Sequence, residues 1–145
     1  QFLAFSSSSS AAALPVTMEC VTENMKVSKS VADFVLPIGA TMNMNGTSLY
    51  QAVATVFLAQ MHGIELEFSQ YLMIVVTATL ASVGSAAVPS AGLVMLVMVL
   101  SAIGLNPAWI GILFPVDRIL DMSRTVVNVT GDATVSAAID HWEKD

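Results

Sequence analysis

Charge is scarce in this sequence. Only 11% of its 145 residues are Asp, Glu, Lys or Arg, where a soluble domain carries about 25%. With 55% hydrophobic residues and a mean hydropathy of +0.74, the deficit argues for a membrane protein. Basic residues are fewest of all, five against eleven acidic. The resulting net charge of −6 makes nucleic acid a poor partner. A single cysteine, Cys20, excludes an internal disulfide and a cysteine-rich metal site, and it reads as a buried small hydrophobe. The two histidines, His62 and His141, have no neighbours at ligand spacing and read as loop residues. Neither an initiator methionine nor a signal-peptide n-region opens the chain, so it reads as the C-terminal part of a longer protein. No Gly-x-Ser-x-Gly elbow, P-loop or dinucleotide fingerprint occurs, and no histidine sits among the apolar segments to act as a base. The chain is therefore not read as an enzyme, and an intramembrane serine hydrolase is a poor second.

What is present centres on one stretch, Asp117 to Asp132. On an α-helix at about 100° per residue, Asp117, Asp121, Arg124, Thr125, Asn128 and Asp132 share an arc of roughly 100°. Val116, Ile119, Leu120, Met122, Val126, Val127 and Val129 occupy the other side, which the pattern predicts to be hidden. An arginine or aspartate at membrane depth costs about 2.5–3.5 kcal/mol, so the four charges cost on the order of 10 kcal/mol unless paired or hydrated. One reading is a self-neutralising network, such as Arg124 with Asp117, that holds helices together. It leaves two carboxylates over. The other is the wall of a water-filled site. A lone guanidinium suits bidentate capture of a carboxylate, a carboxylate suits an ammonium, and further oxygens suit a small cation. Together these describe a pocket for an acidic amino acid with metal ions.

The rest of the chain is built from interrupted apolar segments. Ser6 to Ser10 suits either a flexible linker or a tight hairpin tip whose free N–H groups meet an anion. Glu19 to Lys29 reads as a helix end and a surface loop. Lys26 and Lys29 there, against Glu65 and Glu67 in the Gly63 to Ser69 loop, place the first loop in the cytoplasm and the second outside. Val31 to Met61 is apolar but broken by Pro37, Gly39 and Asn43-Met44-Asn45-Gly46-Thr47. Such breaks are tolerated at membrane depth only where they are buried in protein or line a cavity, and they aim half-helix ends at ions and substrates. Tyr71 to Leu80 and Gly92 to Ile103 are arms of 10 and 12 residues, roughly 15–18 Å each, about half a hydrocarbon core. The small residues Ala81 to Ala91 between them give either a re-entrant hairpin or one kinked helix. Asn106-Pro107 starts the last helix, with Trp109 placed like an interfacial anchor, and the helix runs to about Ile139 before a polar end, His141 to Asp145.

These motifs resemble the glutamate/aspartate:cation symporter family, that of the excitatory amino acid transporters and dicarboxylate/amino acid:cation symporters. The likeness rests on the serine run before Leu14-Pro15-Val16-Thr17, on Asn43 to Thr47, on Ser82 to Gly92 and on Asp121 to Asp132. It implies an all-α membrane protein with broken transmembrane helices and two re-entrant helical hairpins. Residues 1–25 would end the first hairpin, 30–62 form an unwound transmembrane helix, 69–105 the second hairpin and 107–140 the last transmembrane helix. The implied activity is sodium-coupled symport of L-aspartate or L-glutamate by alternating access, in a homotrimer within the lipid bilayer of the plasma (cell inner) membrane. Arg124 would clamp the substrate's side-chain carboxylate, and Asp121, with Thr125 nearby, its ammonium. Ser10 and Asn128 would meet the main-chain carboxylate, Thr47 would add a contact, and Val88 and Gly92 would close over it as a gate. One sodium site would use Asp132 with oxygens of Gly39, Asn43 and Asn128. Another would use carbonyls of Thr41, Ser82, Val83 and Ser85. A further sodium site is altered, because Asn45 stands where the family usually has aspartate. Gln51 replaces a glutamate tied to proton and potassium coupling in animal glutamate transporters, and Ala87 and Ser90 replace gate glycines. Keeping both Arg124 and Asp121 favours an acidic amino acid. Proton coupling, or a dicarboxylate or neutral amino acid, are the alternatives within the family, and a membrane sensor or scaffold lies outside it.

Overall fold

A computed structural model describes residues 1–144; Asp145, the last residue of the polar end, lies outside the described residues. Seven α-helices follow one another: α1 Phe2–Ser7, α2 Ser10–Glu19, α3 Lys29–Met42, α4 Asn45–Met61, α5 Phe68–Val83, α6 Ala91–Ala102 and α7 Phe114–Trp142. No strand occurs among the described residues. A π-helical turn, Cys20–Asn24, closes α2, and a 3₁₀ turn, Pro107–Ile112, precedes α7.

The serine run is an ordered corner. Ser8 takes a left-handed conformation, φ 52°, and ends α1. Extended Ser9 then caps α2, its hydroxyl accepting the Ala12 N–H at 3.2 Å, which satisfies one of the helix's open donors. The flexible-linker reading is set aside by this geometry. At the other corner, Glu67 and Gln70 form a reciprocal capping box that opens α5. The Gln70 amide, in the first turn of α5, donates to the carbonyl of Ile103 at 3.4 Å, just beyond the end of α6. The two helices therefore run antiparallel, joined at residues 84–90.

The chain breaks between α3 and α4 at Asn43 and Met44 alone. Pro37 and Gly39, expected to contribute to the break, lie inside α3. Pro37 is on the exposed side, and the helix continues through it despite its missing N–H. The last helix also starts later than expected. Asn106 caps a 3₁₀ turn through Ala108 N–H at 3.0 Å, and the α-helix begins at Phe114 with Pro115 in its first turn, where a missing N–H costs nothing. Its far end passes Ile139, so His141 lies in a helical turn and not in a loop.

Three apolar clusters hold the elements together. The largest joins α4, α5 and α6 through Leu58, Ile74, Leu96, Val99 and Leu100. A second joins Val21, Val31 and Leu36 to Ala133, Ala137 and Ile139 near the end of α7, and a small third packs Ala4, Ala13 and Val129. Helix α7, about 44 Å long at 29 residues, packs on α1, α2, α3 and α4. Its orientation reverses the sequence expectation. Asp117, Asp121, Arg124, Thr125, Asn128 and Asp132 form the buried face, whereas Val116, Ile119, Leu120, Val127 and Val135 are exposed. The reversal is the arrangement that apolar surroundings favour, since there an outward valine loses nothing and an outward carboxylate loses its solvation. Cys20, expected inside, is exposed on the π-helical turn. No helix among the described residues is both long and apolar enough to cross a membrane by itself.

Candidate functional site

The site forms where three helix breaks meet the buried face of α7. Helix α7 supplies the ionic groups, because residues at i, i+3, i+4, i+7 and i+8 share a side. The first turn of α4, freed by the break at 43–44, and the two tips at Ser8–Ser9 and residues 84–90 supply backbone donors and small side chains.

Arg124 is 6% exposed. Its Nε donates to Asp121 Oδ1 at 2.8 Å. Nη2 lies 2.7 Å from the same oxygen and 3.8 Å from Asp117 Oδ1, out of line for a hydrogen bond. Neither Nη1 nor Nη2 has a hydrogen-bond acceptor. Its guanidinium stands over the Tyr50 ring, 4.4 Å from the centroid, a cation–π contact. The Tyr50 hydroxyl in turn donates to Asp117 Oδ1 at 3.2 Å. Asp121 has its second oxygen engaged by the Ser90 N–H at 2.8 Å, in the tip before α6. Thr125 donates its hydroxyl to the Asp121 carbonyl at 2.8 Å.

One turn further, Asn128 stitches α7 to α4. Its Oδ1 accepts the Gly46 N–H at 2.7 Å, and its Nδ2 donates to Thr47 Oγ1 at 3.2 Å. Next, Asp132 Oδ1 accepts from Asn43 Nδ2 at 3.0 Å and lies against Gly39, where an added Cβ would stand only 2.6 Å from that oxygen. The amide N–H of Asn43 thus faces the carboxylate of Asp132, with no side chain between them at Gly39. With the Asn43 amide turned over, its oxygen would join the carboxylate in a set that fits a small hard cation.

Contact across these elements is close enough to exclude side chains. A Cβ on Gly46 would stand 2.3 Å from the Arg124 carbonyl oxygen, and one on Gly92 would stand 2.7 Å from Arg124 Nη1 and 3.1 Å from Thr47 Cγ2. On α7, a Cβ on Gly131 would meet Asn45 Nδ2 at 2.9 Å. Asn45, Ser82 and Val83 line one cleft of about 410 Å³ with Met42 and Met44. The two tips touch directly, the Ser9 hydroxyl donating to the Ala87 carbonyl at 2.8 Å.

The sequence candidates therefore fall into groups. Thr47, Gly92, Asp121, Arg124, Thr125 and Asn128 come together around the guanidinium. Gly39, Asn43 and Asp132 form a second group one turn along α7. Ser10, buried, opens α2 beside the tip contact, while Val88 lies exposed on the second tip. Thr41 ends α3 with its hydroxyl on the Ile38 carbonyl at 3.0 Å. Ser82 bonds the Thr79 carbonyl at 2.8 Å within α5. The buried Ser85 hydroxyl has no protein partner. Among the described residues no hydrogen bond joins Thr41 to Ser82, Val83 or Ser85. Among the described residues no cluster of three or more His, Cys, Asp or Glu could hold a metal. Tyr50, not singled out from the sequence, also enters, while Gly46, Ser9, Ala87 and Ser90, named there as parts of the break and the tips, take part through hydrogen bonds. Tyr50 could have been found, since it follows Thr47 at i+3 on α4. Ser90 and Ala87 act through backbone groups, which leave no mark in residue type.

Comparison with known proteins gives a consistent set of relatives. The model of the sodium:dicarboxylate symporter family matches residues 1–142. Human excitatory amino acid transporter 2 is 50% identical over 141 residues, 97% of this chain and 25% of the relative. An excitatory amino acid transporter of Caenorhabditis elegans is 48% identical over 97% of this chain and 28% of the relative. Mouse excitatory amino acid transporter 3 is 50% identical over 94% of this chain and 26% of the relative. The chain spans about a quarter of the length of these curated relatives.

Proposed function

Because this chain belongs to the sodium:dicarboxylate symporter family, we propose that it is the substrate- and ion-binding part of a membrane transporter that moves an acidic amino acid together with sodium. The observation that carries the reading is Arg124. A buried guanidinium whose Nη1 has no acceptor, and whose Nη2 is ion-paired with Asp121 Oδ1 at 2.7 Å without an aligned hydrogen bond, keeps an outer N–H edge that a carboxylate fills bidentately. Paired carboxylates alone would use that edge up.

In this reading the substrate's side-chain carboxylate accepts from Arg124, and its ammonium meets Asp121 and Thr125. The main-chain carboxylate takes donors from Ser10, from the second Nδ2 hydrogen of Asn128 and from the Thr47 hydroxyl. Asp121 is the coupling point. Its Oδ2 is held by the Ser90 N–H, so an ammonium that binds there competes with the second tip, and Val88 and Gly92 close over the substrate as the tip re-seats. The antiparallel α5–α6 pair is then a re-entrant hairpin that serves as the gate. α1 and α2 belong to the end of the first hairpin, and residues 30–62 and 107–140 are broken and last transmembrane segments.

Charge explains the ions. Asp117, Asp121 and Asp132 against Arg124, all buried, leave two uncompensated negative charges, and an acidic amino acid adds a third. Three monovalent cations balance that charge in a low-dielectric site, and two reduce it to a single negative charge. Oxygens of Gly39, Asn43, Asn128 and Asp132 hold one sodium, and carbonyls of Thr41, Ser82, Val83 and Ser85 hold another. Asn45 supplies an amide where a carboxylate would add charge, so a third ion binds weakly there. The full-length protein works as a homotrimer in the plasma membrane.

Labelled L-aspartate uptake into proteoliposomes holding the full-length protein tests this, with a sodium or a proton gradient imposed separately and succinate and serine as competitors. Uptake driven by sodium and resistant to both competitors is expected. Uptake driven by protons alone removes the sodium assignment. No uptake under either gradient moves the stripe to a sensor or scaffold role.

A further inference from the structure

The α4 stripe that enters the site at Thr47 continues one turn at a time into the core, at Gln51 and Thr55. Both side chains are fully buried, at 0% exposure, on the face of α4 that also carries Leu58, a member of the apolar cluster shared with Leu93 and Leu96 of α6. Gln51 Nε2 donates to the Gly92 carbonyl at 3.4 Å. Its Oε1 has no partner, and neither has Thr55 Oγ1. That is unusual for Thr55 within its own protein. Thr17, Thr77, Thr79, Thr125, Thr130 and Thr134 each turn their hydroxyl back to the carbonyl four residues earlier. Thr55 does not use this local solution.

We propose that Gln51 Oε1 and Thr55 Oγ1 together bind one buried water, which fixes the Gln51 amide that reaches the Gly92 carbonyl at the start of α6. The two residues stand four apart on one helix face, so their Cβ atoms are about 5–6 Å apart, a span that a single bridging molecule closes. Water fits the chemistry. It donates to the amide oxygen, which cannot donate, and either donates to or accepts from the hydroxyl. A buried polar pair is satisfied in this way when no protein group reaches it. A hard cation is a poor occupant, since it takes about six oxygens and only two are offered. The inference stands on buried geometry and does not depend on what the protein transports.

The test is a double-mutant cycle in the full-length protein, read as the midpoint of thermal unfolding. Thr55→Val keeps the shape and removes the hydroxyl. If a water bridges the pair, Thr55→Val lowers the midpoint, and the same change made in a Gln51→Leu background has a smaller effect, because the bridge is already gone. If the hydroxyl is merely orphaned, removing it relieves a buried unsatisfied group, so Thr55→Val raises the midpoint and adds independently to Gln51→Leu. That outcome overturns the proposal. A high-resolution density map of the unmodified protein decides independently of whether the variants fold. A peak within hydrogen-bond distance of both oxygens supports the site, and apolar contact filling the space with no peak removes it. Transport can fail its own test while this cycle succeeds, and the reverse, so the two are separable.

Discussion

Arg124 offers five N–H donors, and only Nε has an aligned partner. Replacing it by lysine keeps the charge and loses the planar edge. Arg124→Lys is expected to weaken acidic-substrate binding by about 10–100-fold, the range of one charged hydrogen bond at roughly 1.5–3 kcal/mol. Competition binding on purified full-length protein measures it, and an unchanged affinity would show that the guanidinium only braces Asp121. Gly92 probes the same group from the start of α6. A methyl there would stand 2.7 Å from Nη1; Gly92→Ala is expected to displace the guanidinium and raise the KM for substrate at least as strongly, with expression retained. The ionic members of this site are legible in the sequence, because six polar residues at helical spacing in an apolar chain must face either a site or a buried network. The orientation of the helix is not. Hydrophobic periodicity gives a helix two faces and does not say which solvent each will meet, so Val116 and Ile119, which the pattern places inward, lie outward.

At the scale of elements, the informative places are those where regular structure stops. The Asn43–Met44 gap aims Asn43 at Asp132 and the Gly46 N–H at Asn128, which an unbroken helix could not do together. Asp132→Asn removes the charge and keeps the shape. It is expected to shift the sodium dependence of substrate binding to higher concentration by tenfold or more, at about 1.4 kcal/mol per tenfold, and an unaltered sodium titration would count against a cation at this carboxylate. Breaks of this kind are readable where asparagine and glycine cluster, as at 43–47. The pattern misleads where one strong breaker stands alone. Pro37 stays inside α3, since a proline on an exposed side costs a helix one hydrogen bond and not its packing. The tips are readable as small and flexible, but not as touching, because Ser9 reaches a backbone carbonyl of Ala87 across 78 residues.

For the molecule as a whole, topology is the testable quantity. The loop at Lys26 and the loop at Glu65 are both exposed and lie at opposite ends of the α3–α4 segment. With Cys20 replaced by serine, Lys26→Cys is expected to react with a membrane-impermeant maleimide only from the cytoplasmic side, and Glu65→Cys only from outside. Labelling of both from one side would show that α3 and α4 do not together traverse the bilayer. The absence of any single helix among the described residues long and apolar enough to cross has a physical origin in the same design. The long helix, α7, carries the charges, and the apolar ones are short or interrupted, so each is completed by its neighbours.

The glycines at 39, 46, 92 and 131 share a property that bears on how this sequence can change over time. Each marks a place where the backbone of one element lies against α7 or against the 43–47 break, with room for a hydrogen and no more. Gly104 and Gly111 have open space around them. Mutational tolerance should therefore divide the glycines of this chain by what they touch. At Gly104 the tolerance is limited only by its φ of 78°, and at Gly111 it is broad. At the four contact positions a single added carbon moves a charged group, a backbone carbonyl or a side-chain amide. In a lineage of such proteins, a change of substrate could arise from residues that never touch one, by re-spacing the helices that hold those that do.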